Sequence, residues 1–147
     1  MTSHITIDFR ESVPLEETFF TLYQTTGWNQ SYGFSAGELH EALKQSWYLV
    51  AAYDKSELVG FGRVISDGIY HALITEMIIA PAYQGQGIGS EIMQRLLAKC
   101  RDHRIRSIQL FSARGKAEFY KRFGFEERGA NAPGMQLKVA PVNSEKL

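Results

Sequence analysis

The chain has 147 residues, of which 44% are hydrophobic, and these values are typical of a single globular domain with one core. Lys plus Arg equals Asp plus Glu at 16 each, so no broad charge favours binding to nucleic acid or to an anionic membrane. A single cysteine, Cys100, excludes an internal disulfide framework, and no apolar run is long enough to span a membrane. We therefore expect a soluble cytoplasmic protein without a metal site, in which Cys100 fills space on a helix.

The N-terminal third is predicted to form one strand and two helices. Apolar and polar residues alternate from Ile5 to Phe9, which is typical of a strand. Pro14 begins a helical stretch that Gly27 ends, and its apolar face consists of Leu15, Phe19, Leu22 and Tyr23. Ser35 and Glu38 have the spacing of a capping box at the start of a second helix, which is expected to bury Leu39, Ala42 and Leu43.

The middle of the chain changes to a strand pattern. Three stretches rich in strand-forming residues are separated by short turns, and they run over residues 47–53, 58–65 and 70–79. Short turns between consecutive strands predict an antiparallel meander. The third strand then leads into Pro81 and a run of glycines.

The C-terminal half alternates helix and strand. A long amphipathic helix begins at Ile88, and its apolar face consists of Ile88, Ile92, Met93, Leu96, Leu97 and Cys100. A short strand is predicted over 107–111, a short helix over 116–123, and a last strand near Met135 to Val139. The order predicts an α/β (α+β) fold with a mixed, mostly antiparallel sheet of about 6–7 strands and about four helices.

The segment 84–90, QGQGIGS, lies between an apolar strand and the N-terminus of the long helix. Backbone N–H groups and the positive end of the helix dipole make such a turn a site for an anion, and glycine lets phosphate oxygens approach closely. The dinucleotide pattern GxGxxG fails because position 90 is Ser, and no Gly-Lys-Ser/Thr follows as in a Walker loop. The pattern that fits is Gln84-x-x-Gly87-x-Gly89.

This loop resembles the pyrophosphate loop of the GCN5-related N-acetyltransferases (GNAT), which use acetyl-coenzyme A. A second segment, AEFYKRFGF at 117–125, is similar to the family's A-x-x-F/L-Y-x-x-x-G-F motif. The resemblance extends from about Trp47 to Phe125 and implies one acetyltransferase domain over 1–147, with residues 14–45 on the acceptor side. It implies acetyl transfer to a primary amine by direct attack in a ternary complex, and acetyl-coenzyme A as the cosubstrate. The cofactor contacts that it implies are at Ile78, Ile79, Gln84, Gly85, Gln86, Gly87, Ile88, Gly89, Ser90 and Tyr120.

The sequence departs from the family pattern at Arg114, where many members have Asn three residues before the motif's Ala. Any cofactor contact of that Asn is therefore in doubt here. Arg114 either reaches a phosphate or is simply solvated.

Two residues are candidates for the chemistry that the resemblance implies. Tyr120 is the candidate acid for the leaving thiolate, and its alternative is a Tyr packed on the short helix. Glu76 is the candidate base, because a carboxylate in an otherwise apolar strand needs a reason; its alternative is a side chain that points to solvent. A proton transfer from an ammonium to a carboxylate is uphill by roughly 8 kcal/mol, so the base needs a neutral amine, a water relay or a raised carboxylate pKa. His71 is a weaker alternative base.

The acceptor pocket is expected in the N-terminal half, with Trp28, Tyr32, Glu38 and Glu41 as candidates for an amine with an aromatic or apolar body. Their alternative is ordinary core packing. The acceptor is either a small molecule or a protein amine, and a homodimer is possible. The rival reading is a non-catalytic acyl-coenzyme A sensor or regulatory module on the same fold.

Overall fold

The computed structural model describes residues 6–139 and contains one twisted sheet between two layers of helices. The strands are β1 (Asp8–Arg10), β2 (Tyr48–Asp54), β3 (Glu57–Ser66), β4 (His71–Ile79) and β5 (Ser107–Leu110). The α-helices are α1 (Glu16–Gln24), α2 (Asn29–Tyr32), α3 (Ala36–Lys44), α4 (Ile88–Asp102) and α5 (Ala117–Lys121), and a 3₁₀ turn spans Pro81–Tyr83.

The strand order is β1-β2-β3-β4-β5. The first four strands are antiparallel neighbours, and β5 lies parallel to β4. The α4 crossover between β4 and β5 allows this parallel pairing, since two parallel strands need a long connection. The predicted meander and the mixed sheet are therefore confirmed.

The two faces of the sheet have separate cores. On one face α4 buries all six of its predicted apolar positions against β2, β3 and β4, with Ile92, Met93 and Leu96 fully inaccessible. On the other face α1 and α3 cover the sheet through Phe19, Leu22, Tyr23 and Leu43. The predicted capping box at α3 is also present, because Ser35 Oγ accepts from the Glu38 N–H and the Glu38 carboxylate accepts from the Ser35 N–H.

Several predicted elements differ from the structure. The described residues form five strands and five α-helices, instead of about 6–7 strands and four helices. Helix α2 was not predicted, since four residues are too few for a helical period to be visible. Leu15 does not join the apolar face of α1; it occupies the N-cap position, where its side chain is 77% exposed.

The strand predicted near Met135 to Val139 is wrong. This segment is irregular, and Met135, Leu137 and Val139 are all more than 70% exposed. Alternating apolar residues form a strand only where a neighbouring strand and a core accept them, and here they contact neither. The first strand begins later than predicted, at Asp8, and Ile5 lies outside the described residues.

Candidate functional site

A β-bulge interrupts the pairing of β4 with β3. Phe61 pairs with Ile78 and Arg63 pairs with Thr75, so Glu76 and Met77 together oppose the single residue Gly62. Glu76 has φ +51°, the left-handed region that a non-glycine residue rarely occupies. This backbone conformation costs on the order of 1–3 kcal/mol, and it recurs at active sites and ligand-binding sites. Lys55 and Arg104 also adopt a positive φ, but they line neither the cleft at Glu76 nor the cavity at Tyr120.

The bulge reverses which face of the sheet each β4 side chain meets. Before the bulge, Ala72 and Ile74 pack in the core under α4. Strict alternation would place the Glu76 carboxylate in that same apolar core. Instead, the bulge turns Glu76 to the opposite face, and beyond it Ile78 packs in the core under α1 and α3.

Glu76 is paired there with Arg63 of β3. Arg63 Nε donates to Glu76 Oε2 at 3.1 Å, and Nη2 donates to Oε1 at 3.4 Å. Arg63 is only 7% exposed, and its Nη1 also donates to the Ala42 carbonyl at 3.0 Å and to Ser46 Oγ at 3.3 Å. The alternative that Glu76 simply points to solvent therefore does not apply.

The ion pair lies in the wall of a cleft of about 1080 Å³ between the sheet and the N-terminal helices. Aromatic and acidic side chains line this acceptor-side cleft together with Arg63 and Glu76, among them Phe19, Tyr23, Tyr32, Phe34, Glu16, Glu38 and Glu41. Burial, the Glu76 carboxylate and Tyr32 raise the pKa of the Tyr23 phenol, so this hydroxyl keeps its proton at neutral pH.

Three of the four predicted acceptor residues line the cleft. Tyr32 is half exposed there, and Glu41 is paired with Lys44 at 2.8 Å. The carboxylate of Glu38 is already engaged in the capping box of α3. Trp28 does not line the cleft; it packs edge-on against Tyr23 at a centroid distance of 5.9 Å.

The loop 84–90 forms the N-terminus of α4. Gly85 and Gly87 have φ of +79° and +85°, and a Cβ added at either would meet open space. Gly87 is the N-cap and offers no side chain, so the first N–H groups of α4 face outward without a capping acceptor. Gln84 fixes the loop to the end of β4, because its Nε2 donates to the Ile79 carbonyl at 3.1 Å.

Strands β4 and β5 separate beside this loop. Their pairing ends at Ile74 and Leu110, although β4 continues to Ile79. Within residues 6–139 no strand pairs with that edge of β4 at Ile78 and Ile79. On the side facing the gap the Ile79 carbonyl accepts from Gln84, and no described strand pairs with the rest of this backbone segment.

Tyr120 lies on α5 at a second cavity of about 660 Å³, whose lining includes Leu73 of β4 and Leu110 of β5. The side chain is 8% exposed, and its burial raises the pKa of the phenol. The neighbouring Phe119 connects the two sequence motifs, since a Cβ added at Gly89 would lie 3.5 Å from Phe119 Cζ.

The alternative base and the atypical arginine lie apart from the cleft. His71 begins β4, where its Nδ1 is 2.9 Å from Ser107 Oγ, and it does not line the acceptor-side cleft. Arg114 lies in the turn before α5 and lines neither cavity.

Sequence reasoning missed Arg63. The available signal was the one that singled out Glu76, namely a charge inside an apolar strand, because Arg63 stands between Gly62 and Val64.

Comparison with known proteins finds related acetyltransferases. Residues 20–141 match the model of the acetyltransferase (GNAT) domain. The uncharacterized N-acetyltransferase ycf52 of Pyropia yezoensis is 30% identical over 136 residues, which are 88% of this chain and 78% of that protein. The histone acetyltransferase TAP1 of Glycine max is 29% identical over 67% of this chain, which spans only 47% of its length. A GNAT-family acetyltransferase from Streptococcus pneumoniae superposes with a TM-score of 0.75 at 26% identity, over 91% of this chain and 98% of its own.

None of the helices in the described part of the chain is long and apolar enough to cross a membrane.

Proposed function

The chain belongs to the GNAT acetyltransferases, and from this premise we propose that it moves an acetyl group from acetyl-coenzyme A to a primary amine by direct attack. The observation that carries the proposal is the position of Glu76. The bulge places this carboxylate in the acceptor-side cleft, on the strand whose far end leads into the glycine loop.

The residues around the loop fit acetyl-coenzyme A. The pyrophosphate would be held by the outward N–H groups of α4 and by the space in front of Gly85 and Gly87. The pantetheine arm would run along the edge of β4 at Ile78 and Ile79 that faces away from β3, where β5 no longer pairs. In that position a backbone N–H near Ile78 or Ile79 would donate to the thioester oxygen as charge develops on it.

In the proposed reaction the amine nitrogen attacks the thioester carbon, the C–N bond forms and the C–S bond breaks. Glu76 accepts the proton that the amine loses, directly or through a water. Arg63 contacts both carboxylate oxygens, and the proton is received at a lone pair that these contacts leave. Tyr120 gives its proton to the departing thiolate, and its buried phenol is protonated at neutral pH.

The cleft favours a cationic acceptor. Four carboxylates line it. Glu76 is paired with Arg63 and Glu41 with Lys44, which leaves Glu16 and Glu38 without a cationic partner among the described residues. Tyr32 and Phe34 offer aromatic surface for the body or the ammonium group of an amine. Both a small amine and a protein lysine meet these requirements, and the Glycine max relative is named for a protein acceptor.

The rival is a non-catalytic acyl-coenzyme A-binding module, which would bind the same ligand but transfer nothing. One observation favours it: both oxygens of Glu76 are engaged by Arg63, as in a structural ion pair. Turnover separates the two functions, whereas ligand binding does not.

The test begins with calorimetric titration of acetyl-coenzyme A, using ATP and NAD as controls. We expect selective micromolar binding, and we expect Gly87→Val to weaken it at least tenfold by filling the space for the phosphates. The matched control is Gly27→Val. Gly27 also has a positive φ, +76°, and open space for a side chain, but it lies outside the loop, so this variant reproduces only the backbone strain. Equal loss of affinity in both variants would argue against the phosphate placement.

Free-thiol release with a panel of monoamines, diamines and lysine peptides then tests the transfer. Thiol release that depends on the amine supports the enzyme. Tight binding of acetyl-coenzyme A without release for any amine would favour the regulatory module.

A further inference from the structure

Arg63 is the most deeply buried charged side chain among the described residues, and neither the motifs nor the proposed chemistry assigns it a part. Four of its five N–H groups have protein acceptors: two on Glu76, the Ala42 carbonyl and Ser46 Oγ. A buried guanidinium that lost these partners would be strongly destabilising. The guanidinium is thus held by Glu76 on one side and by Ala42 and Ser46 on the other.

This saturation argues against a role in holding an acidic part of the acceptor. An arginine that clamps a substrate carboxylate must present two parallel N–H groups to the cleft. Within residues 6–139, one N–H of Nη2 is the only N–H of this guanidinium without a protein acceptor. Arg63 therefore holds other groups of the protein in place and does not bind the acceptor.

The residue that Arg63 can orient is Glu76. Its left-handed backbone and the bulge turn it away from the core under α4, but a carboxylate on a bulge still has side-chain rotamers to choose from. The two contacts from Arg63 select one orientation. The contacts to Ala42 and Ser46 place Arg63 relative to the end of α3, and Ala42 itself lines the cleft.

We propose that Arg63 is a positioning residue, which holds the Glu76 carboxylate in the orientation that receives the acceptor's proton and links that orientation to α3. The proposal rests on the proposed function, in which Glu76 is the base. It predicts that Arg63 matters for turnover only while Glu76 is present.

The experiment is a double-mutant cycle on kcat, measured on the full chain with the best amine of the panel. We expect Glu76→Gln to lower kcat about a hundredfold and Arg63→Met to lower it at least tenfold. In the Glu76→Gln background Arg63→Met should change kcat by less than about threefold, since its target is gone. The affinity for acetyl-coenzyme A should stay within twofold in every variant.

Two milder variants keep the test valid if Arg63→Met unfolds, which circular dichroism will show. Arg63→Lys keeps the charge but loses the two-point contact, and we expect kcat between wild type and Arg63→Met. Ser46→Ala removes one anchor of Arg63 and leaves Glu76 untouched, and we expect a loss below threefold. If the methionine variant does unfold, Arg63→Lys replaces it in the cycle.

A purely structural Arg63 would lower kcat by the same factor with and without Glu76, and that result overturns the proposal. Wild-type kcat in Glu76→Gln also overturns it, yet leaves acetyl transfer by the protein intact. Absence of transfer by the wild type would instead remove the proposed function, and the positioning role with it.

Discussion

The burial of Tyr120 fits the acid role that is proposed for it. Removal from water raises the pKa of its phenol, so the proton is retained throughout the range in which amines are usually assayed. We predict that Tyr120→Phe lowers kcat about 10–100-fold while the affinity for acetyl-coenzyme A stays within twofold, because only the hydroxyl is lost. Steady-state rates and calorimetric titration measure the two quantities.

The pH dependence gives a second check on Tyr120. A phenol with a raised pKa acts as an acid below that pKa and loses this ability only above it, so its limb of the profile lies above about pH 10. An alkaline limb at lower pH belongs to another group and should persist in Tyr120→Phe. If the variant keeps the wild-type rate, another donor protonates the thiolate.

At single residues the sequence offered motifs, and the roles that they imply stay predictions. Tyr120 and the loop glycines came from such patterns, and the cost of a lone charge in an apolar strand pointed to Glu76. Sequence did not pair Glu76 with Arg63, because the pairing depends on a bulge that shifts the register. It also did not separate Trp28, packed on Tyr23, from Tyr32 in the cleft, since both are aromatic residues of one short region.

At the scale of elements, length decided what the sequence could predict. Helix α4 has 15 residues, so its apolar face repeats over four turns, and all six predicted positions are buried. Helix α2, with four residues, gave no period, and the strand near 135–139 failed because its alternation has no neighbouring strand to pair with. Local pattern therefore predicts an element only when its partner surface is also present.

The packing of α4 on β3 depends on a close approach at Gly62. A Cβ added there would lie 2.5 Å from Met77 Sδ and 2.8 Å from Ile92 Cγ2, both closer than packed atoms tolerate. We predict that Gly62→Ala destabilises the fold by roughly 1–3 kcal/mol, as overpacking usually does. Because Met77 is part of the bulge, the same change should also lower kcat/KM for the amine.

Gly60→Ala is the matched control, since this glycine is on the same strand and face but its added Cβ would have 3.0 Å to the nearest atom. Urea unfolding followed by circular dichroism gives the free energy of unfolding for both variants. The expected order is wild type, Gly60→Ala, Gly62→Ala. Equal stability of all three would mean that α4 moves aside without cost.

At the scale of the whole molecule, the two proposed binding sites lie on opposite faces of the sheet. The face under α4 leads to the loop that is proposed for the cofactor, and the face under α1 and α3 borders the cleft that is proposed for the acceptor. Strand β4 contributes to both, with Ile74 in one core and Ile78 in the other, because the bulge changes the alternation between them. A bulge of one residue thus lets a single strand border both parts of the proposed site.

The chain as a whole has no formal net charge, but its charges are unevenly placed. Acidic residues gather at the cleft, so attraction for an amine should come from a short-range field that salt can screen. Glu16 is the clearest test, because its exposed carboxylate lines the cleft and forms no ion pair in the described part of the chain.

We predict that Glu16→Gln raises KM for a cationic amine about 2–5-fold at low ionic strength with little change in kcat, since an exposed charge contributes at most about 1 kcal/mol. The matched control is Glu17→Gln, which removes the same charge from the same first turn of α1 outside the cleft. At about 1 M salt the Debye length falls to roughly 3 Å, so wild type and Glu16→Gln should converge. A difference that persists at high salt, or an equal effect in Glu17→Gln, would mean that the acidic lining of the cleft does not attract the acceptor.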